Sequence, residues 1–225
     1  MKEAKKGLIL QLFVKGIFSL IGMMGLLFVS AGTINYPGAW ILFISILICS
    51  ISFGIWLYYK YPVQFENRFH EEKGEQQQRI LVLIGLILIS SLILAGLDWR
   101  FSWSKDTPYR FVVAALLLIS ANLIYRNVFM INPFLSNTVE VHPNQMIIST
   151  GMYRVVRHPM YLGTCLTYLS GIIILGSWLN MISFVLFVIV ISMRIANEEK
   201  QLVESIPKYN DYCKLVKYRL LPFIW

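Results

Sequence analysis

Six apolar runs separated by polar breaks limit what this chain can become: Gly7–Ala31, Gly38–Tyr59, Arg79–Leu97, Tyr109–Ile131, Met160–Leu175 and Leu179–Ala196. Each comes near the roughly 17–25 residues needed to cross a hydrocarbon core. A backbone in lipid must satisfy its own polar groups, so runs of this kind are expected as helices. The expected fold is all-α, a multi-spanning transmembrane helical protein of about six spans with a C-terminal helical hairpin and a cytosolic amphipathic tail. Charged residues make up 14% of the chain and mean hydropathy is +0.63, whereas a soluble domain carries about 25% charge. The N-terminal MKEAKKGLILQLF begins like a signal peptide, but its apolar stretch continues to about Val29 without a small-x-small cleavage site. It is read as the first span.

The net charge of +8 reports topology rather than a nucleic-acid platform, because the basic residues flank apolar runs and no basic, aromatic-interleaved polar domain exists. The connections Thr33–Pro37, Asp98–Pro108 and Gly176–Trp178 hold only Arg100 and Lys105. The other side holds Lys2, Lys5, Lys6, Lys60, Arg68, Lys73, Arg154, Arg157, Arg194, Lys200, Lys208, Lys214, Lys217 and Arg219. Positive-inside bias therefore puts both termini and the long Asn132–Pro159 segment in the cytosol. Lys15, within the first run, is expected to snorkel or to precede the true span. Cys49, Cys165 and Cys213 form no disulfide framework, with Cys165 read as a packing residue. The three histidines are scattered, so no metal is expected.

Two polar elements carry the chemistry. In GMYRVVRHPMYLG, Gly151–Gly163, Pro159 suits the first position of a helix and His158 its N-cap. The N–H groups of Met160, Tyr161 and Leu162, with Arg157 beside them, would then hold a small anion such as a carboxylate. The plainer reading is a helix start with interfacial tyrosines and a snorkelling arginine. In RIANEEKQL, Arg194 and Glu198 share a helix face and Glu199 adjoins them. Its plainer reading is a solvated helix end. A three-residue turn joins the last two runs, so they are expected to lie antiparallel and bring both elements to one membrane face. An anion site opposite an acidic site matches a zwitterionic amino-acid moiety.

Gly151-x-Tyr153, Arg157-His158-Pro159-x-Tyr161-x-Gly163, Arg194-x-x-x-Glu198-Glu199-x-x-Leu202, Tyr209-x-x-Tyr212 and Arg219-x-x-Pro222 stand in order over about the last 90 residues. This series resembles the isoprenylcysteine carboxyl methyltransferase and phospholipid methyltransferase superfamily. The resemblance implies a membrane-embedded S-adenosyl-L-methionine site without a Rossmann domain. It implies that Tyr153, His158, Pro159, Met160, Tyr161 and Glu198 line the cofactor, joined by Gln145, Met146, Ile147 and Ile148 upstream. Arg157 and Glu199 are read with that site, and Arg194 as the residue facing the methyl acceptor. The family often has His at the position of Gln145, and Gly-Pro-Tyr where this chain has Gly151-Met152-Tyr153.

These readings divide the chain into N-terminal spans, 1–131, and an S-adenosylmethionine-binding catalytic region, 132–225. The expected partners are the bilayer and a lipophilic acceptor reaching the site laterally, with Asn132–Thr150 folded over the cofactor. An ionised carboxylate needs no base and suits Arg194, which favours a prenylcysteine-like acceptor. A lipid amine, as in phosphatidylethanolamine, is the alternative. A non-enzymatic transporter or assembly factor is the rival from another class, but Lys15 is the only clear intramembrane ionisable residue to line a path. The stripe Leu202, Ile206, Tyr209, Tyr212 and Val216 is expected on the membrane surface, in a tail whose helix Pro207 interrupts.

Overall fold

The computed structural model describes residues 2–62, 65, 75–105, 107–132 and 147–225, with side chains of the first helix from Val14 onward. Gln145, Met146 and most of the segment expected over the cofactor lie outside the described residues. Among the described residues are seven α-helices and no strand. They are α1 (Lys2–Ala31), α2 (Pro37–Lys60), α3 (Glu75–Phe101), α4 (Arg110–Ile131), α5 (Pro159–Leu175), α6 (Met181–Ser205) and α7 (Tyr209–Leu215). Single 3-10 turns occupy Gly151–Arg154 and Trp178–Asn180.

Five helices, α1 to α4 and α6, are long and apolar enough to cross a membrane, while α5 is a shorter apolar helix of 17 residues. All six apolar runs are therefore helical, and the adjustment falls on α5. Pro159 sets its first position and Gly176 stops it, which limits it to about 25 Å of rise. Gly176 adopts φ 72°, and its N–H reaches the carbonyls of Ile172 and Ile173. A Cβ there would collide with Arg110 Nη1. The turn is tight because glycine both takes the left-handed conformation and leaves room for the guanidinium.

The two arms of the C-terminal hairpin run antiparallel, as expected, but neither has the other as its chief partner. α5 packs mainly along α4, and α6 along α3, which also carries α1. Between the arms, large side chains fill the space, among them Tyr161, Tyr168, Phe184 and Phe187 around Cys165, Ile191 and Ile195. The Tyr168 and Phe187 rings are 4.5 Å apart. Against α4 the approach is closer, since a Cβ on Gly163 would meet the Tyr125 ring at 3.1 Å. Small residues permit such contact between membrane helices.

At the end of the bundle away from the chemistry, a polar knot joins three connections. Buried Asp98 accepts hydrogen bonds from the Ser104 N–H and from the hydroxyls of Ser104 and Ser177. Asn180 donates to the Ser91 carbonyl, and Tyr36 to that of Leu175 at 2.6 Å. The outward faces stay apolar, with Phe18 70% and Val29 79% exposed. That is the surface a lipid-facing helix presents.

Candidate active site

The other end gathers three stretches distant in sequence: 151–161, 194–199 and 209–220. His158 caps α5, as its place before Pro159 implies, but through its backbone. Its carbonyl accepts from the N–H groups of Tyr161 (3.1 Å) and Leu162 (3.3 Å). The expected cradle of three free N–H groups is thereby corrected. An i to i−3 bond tightens the first turn, so two of the three donors are already engaged. The imidazole turns instead toward α6, with Nε2 3.2 Å from Glu199 Oε1 and Nδ1 3.9 Å from Glu198 Oε2. An ionised carboxylate only accepts, so Nε2 carries the hydrogen toward Glu199.

Glu199 sits at the centre of a clamp. Arg157 Nε lies 2.7 Å from Oε1, with the two side chains 8% and 9% exposed. Arg219 Nε donates to Oε2 at 2.8 Å. Arg157 also reaches the carbonyls of Cys213 and Val216 through Nη1. The backbone reinforces this closure, because the N–H groups of Arg157 and His158 donate to the carbonyls of Tyr218 and Arg219, each at 2.9 Å. The tail is thus strapped across the start of α5.

Glu198 has different company. The Tyr161 hydroxyl donates to its Oε2 at 2.9 Å and accepts from Arg194 Nε at 2.8 Å. Arg194, Tyr161 and Glu198 form a continuous polar chain bridging the hairpin. Arg194 is buried, whereas the Glu198 side chain is 26% exposed. A carboxylate has about four lone-pair positions, and Glu198 remains reachable from outside.

Tyr153 and Met160 pack in one cluster with Leu57, Val128 and Phe129. The Tyr153 hydroxyl accepts from Asn132 Nδ2 at 3.0 Å, and its carbonyl from the Tyr212 hydroxyl at 2.8 Å. Burial, with some help from the Glu198 charge, pushes the Tyr153 phenol up to about 12. Tyr209 and Tyr212 are pushed up by burial as well. All three phenols stay protonated at neutral pH. Pro159 is fully buried, and Ile148 is half-buried.

The tail stripe requires correction. Ile206, Tyr209, Tyr212 and Val216 are buried within the protein, with Leu202, Cys213 and Ile147 against them. Strapping to residues 157–158 turns this face inward, so the protein rather than the membrane surface covers it. Pro207 does interrupt the helix, between the end of α6 at Ser205 and the start of α7 at Tyr209.

Residues 109–208 match the family model for phospholipid methyltransferases. Over this stretch, a little under half of its length, the chain is similar to phospholipid methyltransferases. The family region starts where α4 begins and so includes the chief partner of α5, which the motif resemblance does not cover. It ends just before α7, although Arg219 in the tail completes the Glu199 clamp. Members of the family generally use S-adenosylmethionine as methyl donor. No curated protein matches the chain. Among the described residues, no group of His, Cys, Asp and Glu is arranged to hold a metal.

Sequence reasoning had no signal for the clamp's connectivity. Arg219 appears in the motif, but nothing in the spacing pairs it with Glu199. The Asn132–Tyr153 bond is equally silent in sequence.

Proposed function

We propose that the chain transfers a methyl group from S-adenosylmethionine to a carboxylate on a membrane-dissolved, prenylcysteine-like acceptor. One observation carries this reading: of two adjacent glutamates, Glu199 is tied to two arginines and a histidine, while Glu198 stays partly exposed beside Tyr161. An ammonium or sulfonium fits such a carboxylate, and the residues present therefore suit the cofactor. When bound, S-adenosylmethionine supplies an electrophilic methyl group. Glu198, His158, Pro159, Met160, Tyr161 and Tyr153 line its place in this reading, with Ile147, Ile148 and the upstream Gln145 and Met146 completing it. Arg157 and Glu199 belong to the same site as positioning residues, because they hold His158 and the tail in register.

In-line methyl transfer depends on orientation and charge placement rather than acid–base chemistry. Arg194 would bring its guanidinium to the acceptor carboxylate while Tyr161 keeps it aligned with Glu198. A carboxylate is ionised at neutral pH, so no general base is needed. The basic flanks support a site on the cytosolic side. Residues 132–225 act as the catalytic region, with α4 as its packing support.

The similarity to phospholipid methyltransferases favours a second reading, methylation of a phospholipid amine. Labelled S-adenosylmethionine with protein in lipid vesicles separates the two. Carboxyl methylation gives a lipid-soluble product that releases its label in base. A base-stable labelled lipid would establish the amine reading, and no transfer at all would return the chain to the non-enzymatic class.

A further inference from the structure

Gln77 stands in the first turns of α3, 1% exposed. Neither its carboxamide oxygen nor its nitrogen has a hydrogen-bond partner among the described residues. A primary amide offers two donors and an acceptor, and burying all of them unpaired is among the costliest ways to use a polar side chain. The position has no packing need for polarity, since Ile80 follows one turn later on the same face and Ile84 a turn beyond it. Ile84 already packs in the cluster that includes Tyr161, Leu162 and Ile195. The neighbouring Gln76 donates to Asn197 on α6 at 2.9 Å. Asn197 lies one residue before Glu198 and three after Arg194. The orphaned amide is therefore held at the α3–α6 seam, level with the Arg194–Tyr161–Glu198 chain.

We propose that Gln77 is a ligand-recognition residue of the methyl-transfer site, taking a planar group that presents a hydrogen-bond donor beside an acceptor. This rests on the methyltransferase reading above and adds a contact from α3, outside the family-matched residues. Two sources carry that chemistry. One is the acylamide unit of a prenylcysteine-like acceptor. The other is the adenine edge of the cofactor, whose adjacent acceptor and amino group pair with a carboxamide in two bonds. The α3–α6 seam parts to admit the group and closes on it, and the bonds formed compensate those the amide lacks in its absence.

The test compares wild type with Gln77→Leu and Gln77→Met, full length in lipid nanodiscs. Both substitutions remove an unpaired polar group from a buried site, so each variant should melt at the same temperature as wild type or higher. Binding of S-adenosylmethionine is titrated directly. Methyl transfer is measured with an N-acetylated S-prenylcysteine and with the matching S-prenylthiopropionate, which has the carboxylate but no amide. If the acceptor is the source, KM for the N-acetylated probe rises at least tenfold, KM for the amide-free probe is unchanged, and cofactor affinity is unchanged. If adenine is the source, cofactor affinity falls at least tenfold and the two probes are affected alike. Unchanged constants in an active, stable variant would overturn the proposal, as would melting several degrees lower in both variants, which would make the amide structural. Wild type that binds cofactor yet methylates neither probe would count against the carboxylate reading instead, and the cofactor titration then decides the role of Gln77.

Discussion

Glu198 and Glu199 differ by one step along α6 and by nearly everything around them. Glu199 faces inward to Arg157, Arg219 and His158, while Glu198 meets the Tyr161 phenol, the far nitrogen of His158 at 3.9 Å, and the outside. Exchanging each for glutamine should separate binding from folding. Glu198→Gln is expected to weaken S-adenosylmethionine binding by at least tenfold in a calorimetric titration, with little change in melting temperature. Glu199→Gln leaves two arginines facing a neutral amide, and breaking a buried pair costs on the order of 3 kcal/mol. It should lower the melting temperature first and binding only as a consequence. Undiminished cofactor affinity in the Glu198 variant would remove Glu198 from the site. Arg194→Lys should keep cofactor binding and lower turnover, because an ammonium lacks the planar fork that bonds Tyr161 and a carboxylate together. The motif already pointed to these residues by number. It did not reveal that Glu199 is engaged on both oxygens, since that depends on Arg219, twenty positions away and brought back by a strap.

Elements set the distance between the groups, and α5 is the most constrained of them. Pro159 and Gly176 bound it in the sequence itself, so the helix and its antiparallel return were legible. What the sequence hid was the partner. Apolar faces on α3, α4, α5 and α6 look alike in a list of residues, and pairing is decided by close approaches such as Gly163 against Tyr125. The inward turn of the Tyr209–Tyr212 face was hidden for the same reason: an amphipathic stripe shows that something apolar covers it, without saying whether lipid or protein does. Gly176→Ala tests the turn. A non-glycine residue in the left-handed region costs about 1–3 kcal/mol, before the contact with Arg110 is counted. Its melting temperature in detergent should fall clearly below that of Gly171→Ala, where the added methyl meets only Leu42 Cδ1 at an ordinary 3.5 Å. Equal melting of the two variants would show that the turn does not depend on the left-handed residue.

Across the whole molecule, the two polar ends are built on different principles. One end is a small knot around Asp98, where serines and backbone close a buried carboxylate with few exposed charges. The other gathers Arg157, Arg194 and Arg219, the two glutamates and the tail, and is flanked by the lysines of residues 200–217. Such asymmetry matters because anionic lipid on the cytoplasmic leaflet attracts basic flanks by about 1 kcal/mol per residue. The site end should therefore face the cytosol, where a soluble methyl donor is available. Lys105 and Lys208 are both exposed and stand at opposite ends of the bundle. Cysteine placed at Lys105 should react with a membrane-impermeant maleimide in intact cells, above the background of the native thiols. Cysteine placed at Lys208 should react only after the membrane is opened. The reverse pattern would put the methyl-transfer site outside, away from its donor, and the reading of charge along the chain would have to be abandoned.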